Sequence, residues 1–168
     1  MKILGIDPGA SGALVTLVTD TNDLTIHDMP IFSVKRNGKN KVEVNVQQLA
    51  KIVAATIPDI AVLEKVGAMP GQGVSSMFQF GRTVGMIEGV LAAANVPVVY
   101  VSPREWKAHM KVSGIKDESR RAATQLYPKY ADLFARVKDD GRAEAALIAH
   151  WFLKTAAPRS PEAGASCQ

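Results

Sequence analysis

Four carboxylates stand where the apolar pattern around them wants none. Asp7 ends the run Ile3-Leu4-Gly5-Ile6 and is followed at once by Pro8-Gly9. Glu64 ends the run Ile60-Ala61-Val62-Leu63. Asp140 and Glu144 lie at the start of the last helical stretch. An anion held at the end of a buried strand is costly unless something compensates it, and a cation is the usual compensation. With no His or Cys in the set, hard oxygen donors select Mg²⁺ or Mn²⁺ over zinc. Two such ions about 3.5–4 Å apart clamp a scissile phosphate, one activating a water and one stabilising the leaving oxygen. The chemistry these residues could perform is therefore phosphodiester hydrolysis. Each residue also has a plainer use. Asp7 could cap its turn, Asp140 could be a helix N-cap, and Glu144 could serve only the helix dipole. Glu64 is the hardest to explain that way, because it follows a strand read as buried on both faces.

The elements that must bring these residues together can be read in order. Residues 2–7 form a strand rich in Ile and Leu, 13–18 a second and 24–31 a third, joined by short turns as an antiparallel meander. The segment 35–41 carries Lys35, Arg36, Lys39 and Lys41 around an Asn37-Gly38 turn pair. It reads as an exposed, mobile loop whose cations could reach phosphates. Asn45 and Gln48 resemble a capping box ahead of a helix that Pro58 stops. Residues 60–64 are the fourth strand. Ser76 with Gln79 again matches a capping box, and a long helix follows to about residue 94. Gly81, Gly85 and Gly89 stripe one side of it, each costing roughly 0.5–1 kcal/mol relative to Ala. Close approach to the helix's own sheet is the first expectation for that stripe. Residues 96–101 are the fifth strand. Ser102-Pro103-Arg104-Glu105 is a strong helix start, and Trp106 on that helix reads as core. Another helix begins at Asp117, and 143–153 form the last. In that final stretch Asp140 and Glu144 fall about 40° apart on one face. Asp139 would be about 140° from Glu144, which favours Asp140 as its partner. The expected fold is α/β, a mixed five-stranded sheet of a three-strand antiparallel meander plus two parallel strands, flanked by helices. Strands 2–7 and 60–64 can then run parallel and adjacent, which brings Asp7 and Glu64 to one edge. One domain over 1–155 and a disordered tail over 156–168 complete the reading.

Composition sets the outer bounds. The 168 residues are 47% hydrophobic and 21% charged, ordinary for a soluble globular chain with one core. No stretch is long and apolar enough to span a membrane, and the start does not resemble a signal peptide. The single cysteine, Cys167, excludes an internal disulfide and is consistent with a cytoplasmic protein. A net charge of +4 and a pI near 9.3 are compatible with a polyanionic partner, though solubility alone explains them as well.

Three motifs carry a resemblance over nearly the whole chain up to about residue 154. Gly5-Ile6-Asp7-Pro8-Gly9, Leu63-Glu64-Lys65-Val66 and Asp140-Gly141-Arg142-Ala143-Glu144-Ala145 resemble the RuvC family of Holliday junction resolvases, within the ribonuclease H-like superfamily. The form of the last motif is similar to phage-borne members. The resemblance implies a ribonuclease H-like fold and a homodimer that nicks two opposed strands of a four-way DNA junction with Mg²⁺. It implies two ions, with Mn²⁺ able to substitute, and a bacterial or phage-infected cell as the setting. By motif it makes Asp7, Glu64, Asp140 and Glu144 the catalytic metal ligands, with Asp139 as the alternative to Asp140. It also makes Arg104, Lys107, Lys116, Arg120 and Arg121 candidates for DNA contact, and the glycine-striped helix the dimer helix. Two departures from the family's bacterial pattern stand out. Gly141 occupies the position three before Glu144 where an Asp is usual, and the segment after Glu64 lacks an aromatic wedge, leaving Met69 as an apolar one. The competing readings are a related ribonuclease H-like nuclease acting on branched DNA or RNA, and a non-catalytic junction-binding protein. A sugar-kinase or actin-like ATPase would need roughly twice this length.

Overall fold

Apolar alternation in the first third of the chain builds the meander. Strands β1 (Lys2–Asp7), β2 (Ala13–Val18) and β3 (Asp23–Asp28) pair antiparallel, with Ile6 opposite Leu14 and Val15 opposite Ile26. In this computed structural model the described residues are 1–156 apart from 37, 38, 66, 68–70 and 72; of Arg36, Lys39 and Lys116 only the backbone is described. The expected tail, from residue 157 on, and Met69 lie outside them.

The third strand is shorter than the 24–31 expected. Met29-Pro30 ends it, because proline has no N–H to give a ladder. The chain then forms a hairpin of its own, β4 (Ile31–Arg36) and β5 (Lys39–Val44), in register Ile31 to Val44 and Arg36 to Lys39. The segment expected to be a mobile loop is therefore mostly strand. Its β-branched residues Ile31, Val34, Val42 and Val44 outweigh its charge, and Lys35 and Lys41 project as exposed side chains.

Helix α1 (Val46–Thr56) starts where expected, with the Asn45 side chain accepting from the Gln48 N–H at 3.1 Å. Strand β6 (Ile60–Glu64) runs parallel to β1 and β7 (Val98–Val101) runs parallel to β6. The five-stranded sheet has the order β3-β2-β1-β6-β7. Helix α2 (Val74–Ala93) begins two residues before the expected Ser76 cap, with Gly73 at the cap position and no side-chain bond there. Ser102 does cap α3 (Pro103–Met110), accepting from the Glu105 N–H at 3.2 Å. Helix α4 (Lys116–Leu126), two 3-10 segments and α5 (Asp140–Ala156) close the chain.

Helices cover both faces of the sheet. Leu4, Ile6, Leu14 and Leu63 face α1 and α2, whereas Ile3, Val15, Leu17 and Val62 face α3, α4 and α5. Helix α5 lies closest. Its buried Ala143, Ala145, Ala146 and Ala149 bring its backbone onto β1. A Cβ at Gly5 would fall well inside contact distance of the Ala145 carbonyl oxygen and 2.8 Å from the Ala149 nitrogen. Gly81, Gly85 and Gly89 do the opposite of what was expected. A Cβ at any of them would meet nothing within 4 Å, so they serve no close approach to their own sheet. Thr83, Ile87, Val90 and Leu91 face the sheet, and the glycines lie on the far side of the helix. No helix among the described residues is long and apolar enough to cross a membrane.

Candidate active site

Parallel pairing of β1 and β6 sets Ile6 beside Leu63, so Asp7 and Glu64 leave the sheet at the same edge. The start of α5 reaches that edge because Gly141 packs on the turn after β1. A Cβ there would strike the Ser11 carbonyl oxygen and lie 2.7 Å from the Gly12 Cα. An Asp three residues before Glu144 cannot fit against that turn, and the acid sits one position earlier, at Asp140. Asp7, Asp140 and Glu144 line one cleft of about 500 Å³ together with Ser11 and Lys138. Glu64 is almost wholly buried and lines a separate cavity with Lys65, Val84, Glu88 and Tyr100.

Asp139 goes elsewhere. It is 1% exposed and ties the start of α5 together. Its carboxylate accepts from the Arg136 backbone N–H at 2.9 Å and from the Arg136 guanidinium at 2.9 and 3.0 Å, with Arg142 at 3.5 Å. The Arg136 guanidinium holds its pKa below the usual carboxylate range. Asp139→Ala is accordingly expected to destabilise the fold by about 2–4 kcal/mol, through loss of a cap and of a buried paired anion. Asp140→Asn should cost no more than about 1 kcal/mol. Thermal melts of the two variants check this; equal losses would refute the distinction.

No family model matches the chain. A curated relative, the chloroplastic Holliday junction resolvase MOC1 of Chlamydomonas reinhardtii, is 32% identical over 98 residues, which are 54% of this chain and 10% of the relative. The chain thus spans about a tenth of that protein's length. Thermus thermophilus RuvC superposes with a TM-score of 0.61 at 16% identity, over 93% of this chain and 97% of that one. T. thermophilus RuvC in complex with a Holliday junction substrate superposes with a TM-score of 0.63 at 14% identity, over 92% and 96% of the two chains. The fold is that of RuvC.

Within this RuvC fold, cations of the chain already hold two of the four carboxylates. Lys107 of α3 places its Nζ 3.1 Å from Glu144 Oε1, and Arg120 of α4 places its Nε 2.8 Å from Asp140 Oδ1. Arg120 also binds Asp117 and the Ala135 carbonyl oxygen, and the Ser119 hydroxyl lies 3.4 Å from Glu144 Oε1. Among the described residues Asp7 has only a long bond, from the Gly9 N–H at 3.4 Å, so the turn-capping use is present but weak. Its pKa is pushed up to about 7, first by burial and then by the charges of Glu64 and Glu144. Glu64 is also raised, chiefly by burial, against a lowering by the Trp106 N–H.

The raised Asp7 has a measurable consequence. In the unfolded chain this carboxyl ionises near 3.8; in the fold it keeps its proton to about 7. The folded state therefore binds more protons between those values, and stability falls as pH rises through that window. The loss is roughly 2–4 kcal/mol. Metal-free protein should melt lower at pH 8 than at pH 5.5, and Asp7→Asn should flatten that dependence. An Asp7→Asn protein with the wild-type slope would disprove it.

Among the described residues, no three His, Cys, Asp or Glu side chains converge closely enough to hold a cation as they stand, and Lys107 and Arg120 pair with two of the carboxylates. The donor set nonetheless fits a hard divalent cation by its chemistry. It is all oxygen, and Asp7 is buried beside Glu64 and Glu144, whose charges add to burial in raising its pKa against a smaller lowering by the Gly9 N–H and Lys107. Of the cations considered for DNA contact, Lys35, Lys41, Arg104 and Arg121 are exposed, while Lys107 and Arg120 are half-buried against carboxylates. The side chains of Arg36, Lys39, Met69 and Lys116 lie outside the described residues. Sequence reasoning missed the pairing of Lys107 with Glu144, of Arg120 with Asp140 and of Trp106 with Glu64. The adjacent Trp106-Lys107 on a well-capped helix was the available signal.

Proposed function

We propose that this protein is a divalent-metal-dependent endonuclease that resolves four-way DNA junctions by paired phosphodiester cleavage. The observation that carries the reading is the cleft shared by Asp7, Asp140 and Glu144 at the end of a RuvC-fold sheet, with Glu64 ending the strand beside Asp7. The similarity of part of the chain to a Holliday junction resolvase supports the same substrate.

Asp7, Glu64, Asp140 and Glu144 would hold Mg²⁺, two ions in the full site, with Mn²⁺ as a substitute. When bound there, the cation supplies a water of lowered pKa and positive charge against the phosphate. Asp7 gives up its proton near neutral pH as its charge becomes compensated. Lys107 and Arg120 are tethered to Glu144 and Asp140 and can turn outward to the phosphate oxygens, leaving those carboxylates to the metal. The hairpin cations Lys35, Arg36, Lys39 and Lys41, the exposed Arg104 and Arg121, and Lys116 would follow the arms of the junction, with Met69 as an apolar wedge.

The active form would be a homodimer joined through the outer face of α2, since two nicks need two sites. Val74 and Phe78 are 85% and 72% exposed there, and the face continues along Gly81, Gly85 and Gly89. Glycines that meet nothing within their own chain suit the backbone approach of a second helix. Gly85→Leu should leave the fold intact, since leucine favours helix over glycine, but convert a dimer to monomer in sedimentation equilibrium. A wild-type protein that is monomeric at every concentration would remove the dimer from the proposal.

The proposal is tested by incubating the protein with a labelled four-way junction, with and without Mg²⁺. Paired symmetric nicks that require the metal are expected. Cleavage of RNA or unbranched duplex alone would refute it.

A further inference from the structure

We infer that Trp106 is a positioning residue for Glu64, fixing one carboxylate oxygen so that the other stays available to a cation; this rests on the metal-dependent reading above. Trp106 is fully buried, and its Nε1 donates to Glu64 Oε1 at 2.8 Å. A buried indole N–H needs an acceptor, which is ordinarily any nearby oxygen. Here the acceptor is a carboxylate that, like Asp7 and unlike Asp140 and Glu144, makes no ion pair among the described residues.

The geometry follows from α3. The Ser102 cap and Pro103 fix where the helix begins, and so fix which residues face the sheet. Consecutive helical residues diverge by about 100°. Trp106 therefore enters the core and reaches the end of β6, while Lys107 stays at the cleft and reaches Glu144. The Lys107 Nζ also lies 5.1 Å from the Trp106 ring, so the two side chains brace each other. One short helix thus holds two carboxylates from two different elements. Without the indole N–H, Glu64 has no bond from the described residues to select a rotamer, and its buried charge loses its hydrogen bond. Removing a partner that orients a metal ligand costs about 10–100-fold in metal affinity.

The test is Mn²⁺ binding to the DNA-free protein by titration calorimetry, on wild type, Trp106→Phe and Trp151→Phe. Trp151 is the second tryptophan, buried in the same core on α5, and it makes the size of the packing change comparable. Trp106→Phe should weaken Mn²⁺ binding at least about 10-fold, and Trp151→Phe less than about twofold. Junction affinity in EDTA should be the same for all three. If both variants weaken Mn²⁺ equally, the effect is packing and the inference is overturned. It is overturned equally if Trp106→Phe binds Mn²⁺ like wild type. If Trp106→Phe does not fold, a benzothienylalanine at position 106 in the Trp151→Phe background keeps the ring volume and lacks the N–H, and the same outcomes apply. A wild-type protein that binds no Mn²⁺ would instead refute the metal-dependent reading, and the inference with it.

Discussion

Asp7→Asn or Glu64→Gln is expected to abolish the proposed junction cleavage, with the rate falling at least about 10³-fold, equivalent to about 4 kcal/mol of lost transition-state stabilisation. Both substitutions keep the shape of the side chain and remove its charge. Glutamine keeps an oxygen that can accept the Trp106 N–H, and Asp7 contributes little to holding the fold. Asp7 has one long backbone bond, and its burial beside Glu64 and Glu144 is a cost that the fold carries. The metal-free Asp7→Asn protein should therefore melt higher than wild type at pH 8, and its affinity for the four-way junction in EDTA should stay within about twofold. Cleavage, melting and gel-shift assays on the same preparations separate the possibilities. Loss of folding and junction binding together with cleavage would assign Asp7 a structural role and end the proposal for that residue.

Gly5→Ala lowers stability by about 3 kcal/mol or more, the upper end for an overpacked core site. For a chain of this size that is a fall of roughly 6–12 °C in melting temperature. The reason is that the new methyl group meets backbone on the other side, the carbonyl of Ala145 and the nitrogen of Ala149, and not a side chain that could turn away. Helix α5 would have to lift from β1, and with it Asp140 and Glu144 would leave Asp7. Cleavage should fall with stability in this variant, unlike in Asp7→Asn. Gly85→Ala is the matching control. With open space around its Cβ in the single chain, the monomer should gain about 0.5–1 kcal/mol. A Gly5→Ala protein that melts like wild type would show that α5 does not rest on β1 as described.

Much of this was legible in the residues. The apolar runs ending at Asp7 and Glu64, the turn residues between the first strands and the Val-rich fifth strand specify the meander and the parallel pair, because strand burial is written in period and in β-branched content. The N-caps at Asn45 and Ser102 were legible for the same local reason: a cap is a contact within a few residues. The hairpin over 31–44 was harder to see, since its cations mask an alternation that only cross-strand pairing reveals. The Gly81, Gly85 and Gly89 stripe was visible, but its direction was not, because spacing places residues on one face of a helix without saying what that face meets.

By itself the sequence determined the five strands of the main sheet and the helices between them, the positions of four candidate acids and the angular preference of Glu144 for Asp140 over Asp139, but not the hairpin over 31–44. Tertiary structure alone decided how those acids are used. Asp139 is consumed by Arg136 and Arg142, Asp140 and Glu144 are held by Arg120 and Lys107, Glu64 is held by Trp106, and Asp7 is buried beside Glu64 and Glu144 with no ion pair among the described residues. The physical reason is range. Helical and strand periodicity acts over a few residues, whereas these partners come from α3, α4 and the turn before α5, and long-range packing of α5 against Gly5 and Gly12 is what brings them within hydrogen-bond distance.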